Sequence, residues 1–264
     1  MKRIRVFLFS GTGMTRYAVN ILKGELEKQQ VCCDSNAIES VRPQSISFEN
    51  CDAVGIAYPV HSFNAPKIVA DFAKCLPRAS GLDIFIISTA GGFTRLNFAS
   101  SRLLIKILNK KGYNVFSDRQ FIKPSNFIIK DDEKTVRDKL EKVNVEMTAA
   151  AREIKNRTPY KMQYGFAVRI AAFIGRGEWF GAKWMGLFYY ADKNCVRCGI
   201  CVAGCPNRNI IVGGNRVRFK RKCGLCMRCF YICPERSLKI QRPFRFLRFD
   251  EWYDEYTIKV RRYL

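Results

Sequence analysis

Eight of the twelve cysteines carry the most specific chemical signal in the chain. They fall into two copies of one pattern, Cys195-x2-Cys198-x2-Cys201-x3-Cys205-Pro206 and Cys223-x2-Cys226-x2-Cys229-x3-Cys233-Pro234, offset by 28 residues. Three thiolates at three-residue intervals reach three irons of one cubane, while the fourth, followed by a turn-forcing proline, points toward the other copy. The spacing therefore predicts two 4Fe-4S clusters with crossed ligation: Cys195, Cys198, Cys201 and Cys233 on one, and Cys223, Cys226, Cys229 and Cys205 on the other. Zinc also favours C-x2-C, but a four-thiolate zinc site closes on two separated knuckles and would leave the third cysteine of each run surplus. Disulfides need an oxidising compartment. The chain opens Met1-Lys2-Arg3-Ile4-Arg5-Val6-Phe7 without a secretory apolar segment, so a cytoplasmic protein is expected. Cys32, Cys33, Cys51 and Cys75 show no ligand spacing and read as packed thiols.

Ser10-Gly11-Thr12-Gly13-Met14-Thr15 follows a strand-like run and opens a helical one. Two glycines let backbone N–H groups converge, the helix start supplies partial positive charge, and three hydroxyls are available to a phosphate. The segment lacks the Gly-Lys-Ser/Thr of a P-loop, and Arg16 stands where a dinucleotide fingerprint needs its third glycine. Two more loops are placed at the C-terminal ends of strands, where a doubly wound sheet opens its crevice. Tyr58-Pro59-Val60-His61-Ser62-Phe63-Asn64-Ala65-Pro66 offers aromatic and imidazole surface, and Thr89-Ala90-Gly91-Gly92-Phe93-Thr94 offers small residues for close approach.

The elements that must position these loops alternate in type. Strands are expected at Arg3 to Phe9, near Val31, and at Ala53 to Ala57, Leu82 to Ser88 and Asn114 to Phe121. Helices are expected at Tyr17 to about Gln29, from Pro66, at Phe98 to Lys110 and at Asp131 to Lys155. Such alternation predicts an α/β fold with a parallel sheet covered on both faces. Between the cysteine runs, Ile210 to Val212 and Val217 to Phe219 read as a hairpin around Gly213-Gly214-Asn215. The domains expected are residues 1–157, an aromatic-rich arm at 158–188, the cysteine-rich unit at 189–243 and a tail at 244–264.

On its cysteine spacing, the segment 189–243 resembles the bacterial two-cluster ferredoxins, a small α+β fold. On its three loops, the segment 3–155 resembles flavodoxin, which implies a doubly wound five-stranded sheet in order 2-1-3-4-5 and bound FMN. Carried over, Ser10, Gly11, Thr12, Gly13, Met14 (through its backbone) and Thr15 would hold the FMN phosphate. Tyr58, Pro59, His61, Phe63 and Asn64 would line one side of the isoalloxazine, and Thr89, Ala90, Gly91, Gly92 and Phe93 the other. The sequence departs from ordinary flavodoxins at Arg16, where many are acidic, and in having no glycine from Tyr58 to Asn64. Together the halves resemble the flavodoxin-ferredoxin fusion proteins of anaerobes. That resemblance implies an oxidoreductase or electron carrier relaying electrons between two 4Fe-4S clusters and FMN, with an FMN-dependent reductase of a small substrate as the alternative. His61, the only histidine, is expected at the flavin, where protonation would raise the flavin's potential, and Arg95 could act the same way.

The charge is strongly positive, 46 basic against 23 acidic residues, and uneven: 24 against 16 in residues 1–155, and 22 against 7 in residues 156–264. Such a surface suits an acidic redox partner such as a soluble ferredoxin, or an anionic membrane. Basic residues alternate with aromatic or aliphatic ones in 216–222 and 242–249, as in single-strand binders. Nucleic acid is the weaker reading, because the first segment can compensate the clusters and alternation in the second fits a half-packed strand. In the arm, Phe166, Ile170, Phe173 and Ile174 fall at helical spacing, while Arg169, Arg176, Glu178 and Lys183 break any membrane span. Two roles are open for it: packing between domains or in a homodimer, and an amphipathic helix on a membrane surface.

Overall fold

A computed structural model of the chain describes residues 1–92, 94–127, 129–214 and 216–241. Phe93, the segment 242–249 and the tail expected at 244–264 lie outside the described residues. The N-terminal part runs β1 (Arg3–Leu8), α1 (Met14–Lys28), β2 (Cys32–Ala37), β3 (Ala53–Pro59), α2 (Lys67–Cys75), β4 (Asp83–Ala90), α3 (Arg102–Lys110) and β5 (Asn114–Ile122). A short antiparallel pair, β6 (Asn126–Phe127) and β7 (Ile129–Lys130), leads into α4 (Glu133–Lys155). The five long strands pair in parallel in the order β2-β1-β3-β4-β5. This is the flavodoxin-like doubly wound sheet, with its topological switch between β1 and β3.

Alternation along the strands explains why both faces are covered. Ile4, Val6 and Leu8 pack with Val19, Leu22 and Leu26 of α1 and Val143, Met147 and Ile154 of α4. Phe7 and Phe9 point the other way, joining Val54, Ile56, Val69 and Phe72, with Leu104 and Leu108 of α3. A strand buried on both faces must be apolar nearly throughout, as β3 and β4 are.

Three boundaries differ from the sequence expectation. Helix α1 begins at Met14 rather than Tyr17, because Gly13 adopts left-handed backbone (φ 94°) and turns the chain directly into it. Helix α3 begins at Arg102 rather than Phe98, after a 3-10 turn at Thr94–Asn97. Strand β2 covers Cys32–Ala37 despite the polar sequence CCDSNA, since pairing with β1 outweighs its weak β propensity.

The chain then returns along the open edge of the sheet. Tyr160 N–H donates to the Phe116 carbonyl at 3.1 Å and its own carbonyl accepts from Asp118 N–H at 2.8 Å, covering part of the β5 edge. Helices α5 (Phe166–Gly175) and α6 (Glu178–Met185) follow. The second unit is a small α+β body: β8 (Tyr189–Ala191), α7 (Ile200–Ala203), β9 (Ile210–Gly213), β10 (Arg216–Phe219), α8 (Arg228–Ile232) and β11 (Leu238–Ile240). Strand β8 pairs antiparallel with β11, and β9 with β10 in the expected hairpin. The repeat extends to backbone geometry. Left-handed residues recur at the same 28-residue offset, Arg197 with Leu225, Gly199 with Met227 and Arg208 with Arg236.

Candidate functional site

The eight repeat cysteines surround two openings, and the grouping is crossed. Cys223, Cys226 and Cys229 line one with Cys205, beside Tyr189, Phe219 and Ile210. Cys195, Cys198 and Cys201 line the other with Cys233, beside Val217 and Leu238. The space unfilled by atoms, mouths included, is about 370 Å³ and 340 Å³. Among the described residues, no three His, Cys, Asp or Glu side chains converge as ligands of a metal ion. Four thiol-bearing residues line each opening. Burial, reinforced by neighbouring sulfurs, pushes Cys201 up to about 11 and Cys229 well above its ordinary range. Burial also raises Cys223 to about 12. Each opening thus holds its sulfurs in an apolar wall that disfavours bare negative charge.

The three loops of the first unit meet at the C-terminal ends of β1, β3 and β4. The N-cap of α1 is Gly13, which has no side chain, and no acid occupies the first turn, so no carboxylate offsets the positive helix end. The hydroxyls of Thr15 and Thr89 lie 2.9 Å apart and tie the first loop to the third. Ser10 Oγ accepts from Arg16 N–H at 3.4 Å, and Thr12 is half-buried. In the second loop His61 and Asn64 exchange backbone hydrogen bonds across a tight turn. Its central residues, Ser62 and Phe63, have φ of 41° and 63°. Left-handed backbone at a phenylalanine is strained, at a cost of about 1–3 kcal/mol.

Several expected contacts are redirected. Tyr58 is fully buried among Phe9, Val69 and Leu104, because its side chain falls on the inner face of β3, so it does not line the ring loops. Asn64 turns toward the arm, its Nδ2 donating to the carbonyls of Ala172 at 2.6 Å and Ser62 at 3.1 Å. Gly91 packs against Ser125, whereas Gly92 has open space. Arg95 is exposed on its 3-10 turn. His61 is neutral rather than protonated at pH 7. Burial, with Lys123 nearby, lowers it to about 4, and burial raises its neighbour Glu178 to about 7 across 3.9 Å. Pro59, Phe63 and Ala90 stay at the loop edge.

Direct contacts join the parts. A Cβ at Gly11 would lie 2.0 Å from the Cys226 carbonyl oxygen, so the first loop touches the backbone of one thiol quartet. Arg228 spans the same junction. Its Nη2 donates to the Ser10 carbonyl at 2.7 Å and meets Glu39 at 2.5 Å, while Nη1 donates to the Gly204 carbonyl at 3.2 Å. Met14 packs into the core of the second unit. Gly175 sits on the Ser62 carbonyl, so the arm closes over the second loop. The contacts of Gly11, Met14 and Arg228 expose this junction; the sequence marks Gly11 and Met14 only as phosphate-loop residues and gives no signal at Arg228.

The fold and these loops define a flavodoxin-like unit joined to a cysteine-rich α+β unit. Solved structures similar to the chain include a Streptococcus pneumonia TIGR4 flavodoxin (17% identity, 57% of this chain and 99% of that one, TM-score 0.40). Flavodoxin 2 from Bacillus cereus (15%, 57% and 99%, 0.43) is another. A third is general stress protein 14 from Treponema denticola in complex with FMN (12%, 58% and 98%, 0.40). At these identities and TM-scores the fold assignment stands on the strand order alone. No protein-family model and no curated protein matches the chain.

Proposed function

We propose that this chain is an electron-transfer iron-sulfur flavoprotein, holding two 4Fe-4S clusters in the second unit and FMN at the three loops of the first. The observation that carries the proposal is the crossed grouping of thiols around two openings, with Cys226 of one backed onto Gly11. A single ion needs donors about 2.3 Å from one centre, whereas thiols spaced around an opening suit a multi-iron core. The donor set is all sulfur, which suits iron-sulfur chemistry.

At the loops, the acid-free start of α1 and the hydroxyls of Ser10 and Thr12 suit a phosphate. Pro59, His61, Phe63, Ala90 and Gly92 would border the ring. FMN supplies exchange of one or two electrons and each cluster one, so the two clusters match one flavin. The residues' own task is placement and insulation. Neutral His61 adds no charge at the ring, Arg228 locks the first loop to the second unit, and Gly175 of the arm packs on the Ser62 carbonyl.

The formal charge of +23 suits an acidic redox protein, such as a ferredoxin, as partner. A reductive titration under nitrogen tests the proposal. Uptake of roughly four electrons per chain, with bleaching of both flavin and cluster absorbance, is expected. Uptake of two or fewer, or failure of a reduced acidic ferredoxin to deliver any, would refute the relay.

A further inference from the structure

The arm has two sides of opposite character. Inward, it grips the second loop through Asn64 and Gly175. Outward, it shows large apolar side chains: Phe166 is 75% exposed, Phe173 68%, Ile174 69% and Phe180 65%. Arg176 and Gly177 join α5 to α6 through tight turns, Arg176 N–H donating to the Phe173 carbonyl at 3.3 Å and Gly177 N–H to the Ile174 carbonyl at 2.9 Å. With Ile170 and Trp184, six large apolar side chains of these two helices are exposed. Arg169 and Lys183 add exposed cations to the two helices, and half-buried Arg176 lies over the Phe173 ring, 5.0 Å from its centre. The single acid of residues 158–188 is Glu178, which is turned inward beside His61.

We propose that this face docks on an anionic lipid surface. Exposed aromatic and branched side chains with cations on the same helices are what an interfacial helix needs. The chain's charge of +23 supplies long-range attraction to anionic headgroups. No helix among the described residues is long and apolar enough to cross a membrane, so the geometry is peripheral. A second copy of the chain is the poorer occupant, because it would bring two sets of cations together with no outward acid of the arm to pair with them. The inference uses exposure and charge alone and stands apart from the cofactor reading.

Flotation of the full chain, purified with whatever cofactors it holds, is the test. With vesicles of roughly three parts phosphatidylcholine to one part phosphatidylglycerol the protein is expected to float, and about tenfold less with phosphatidylcholine alone. Phe173→Glu with Ile174→Glu should cut flotation roughly tenfold at an unchanged melting temperature, since both side chains are exposed. Should that pair fail to fold, Phe180→Ser is read instead, with a smaller loss in the same direction. Arg169→Gln with Lys183→Gln should remove the preference for anionic lipid. Protein left at the bottom of both gradients, flotation indifferent to lipid charge, or a lipid-free dimer dispersed by Phe173→Glu would overturn the proposal.

Discussion

Replacing Gly11 with alanine probes the junction on which the proposed electron path depends. Its φ lies outside the left-handed range, so alanine meets no backbone strain, and the smaller entropy of the unfolded chain would by itself stabilise by about 0.4–1 kcal/mol. Against this stands a Cβ placed 2.0 Å from the Cys226 carbonyl oxygen and 3.0 Å from its carbon. These are backbone atoms that cannot rotate away, so the second unit must shift, at an overpacking cost of about 1–3 kcal/mol. The clash outweighs the entropy over most of these ranges, leaving a net loss of up to about 2.6 kcal/mol, or several degrees in melting temperature for a chain of this size. Gly24 is the internal control. It sits within α1, and a methyl added there would meet nothing within 4 Å, so Gly24→Ala should stabilise by about 0.5–1 kcal/mol. Thermal melts of the two variants decide. If Gly11→Ala melts at or above the wild type, as Gly24→Ala should, the two units are not packed loop against thiol quartet.

Three further outcomes are expected. The imidazole signal of the lone histidine should titrate at about 4 in NMR, and stability should fall as pH drops from 6.5 toward that value, because the unfolded chain takes up the proton first. A midpoint near 6.5 would mean that His61 is not buried against the arm. Asp118, raised by burial to about 7 from 3.8, holds a proton in the folded state that the unfolded chain has released, so stability should decline as pH rises between these values. Asp118→Asn should flatten that decline and stabilise at pH 8 by at most ~4 kcal/mol, with little gain at pH 4; equal gains at both would refute the burial account. Cys233→Ser should impair the cluster on Cys195, Cys198 and Cys201 and spare the one built on its own motif, as read by EPR of the reduced protein. Loss confined to the Cys223 motif would contradict crossed ligation.

Thiol grouping and the alternation of strands with helices were legible in local spacing, whereas the sheet order was implied by the resemblance of the three loops to flavodoxin. Strand β3 reads as a buried parallel strand from its apolar run, and a C-x2-C-x2-C-x3-C-P run dictates which sulfurs face which way. Side-chain direction at strand ends was not legible. Tyr58 looks like ring surface in sequence, but the alternation of β3 carries it into the core. The protonation of His61 was also hidden, because it depends on burial and on Lys123, 62 positions away. The start of α1 was missed because a left-handed Gly13 lets the helix begin inside the loop. Arg228 gives no local signal. Its role appears only when the repeat is set against Ser10 and Glu39.

The account rests on metal and flavin sharing this chain. Chemical analysis of protein purified without oxygen should find about eight iron, eight sulfide and one FMN per chain. Zinc in place of iron, or iron without flavin, would contradict it.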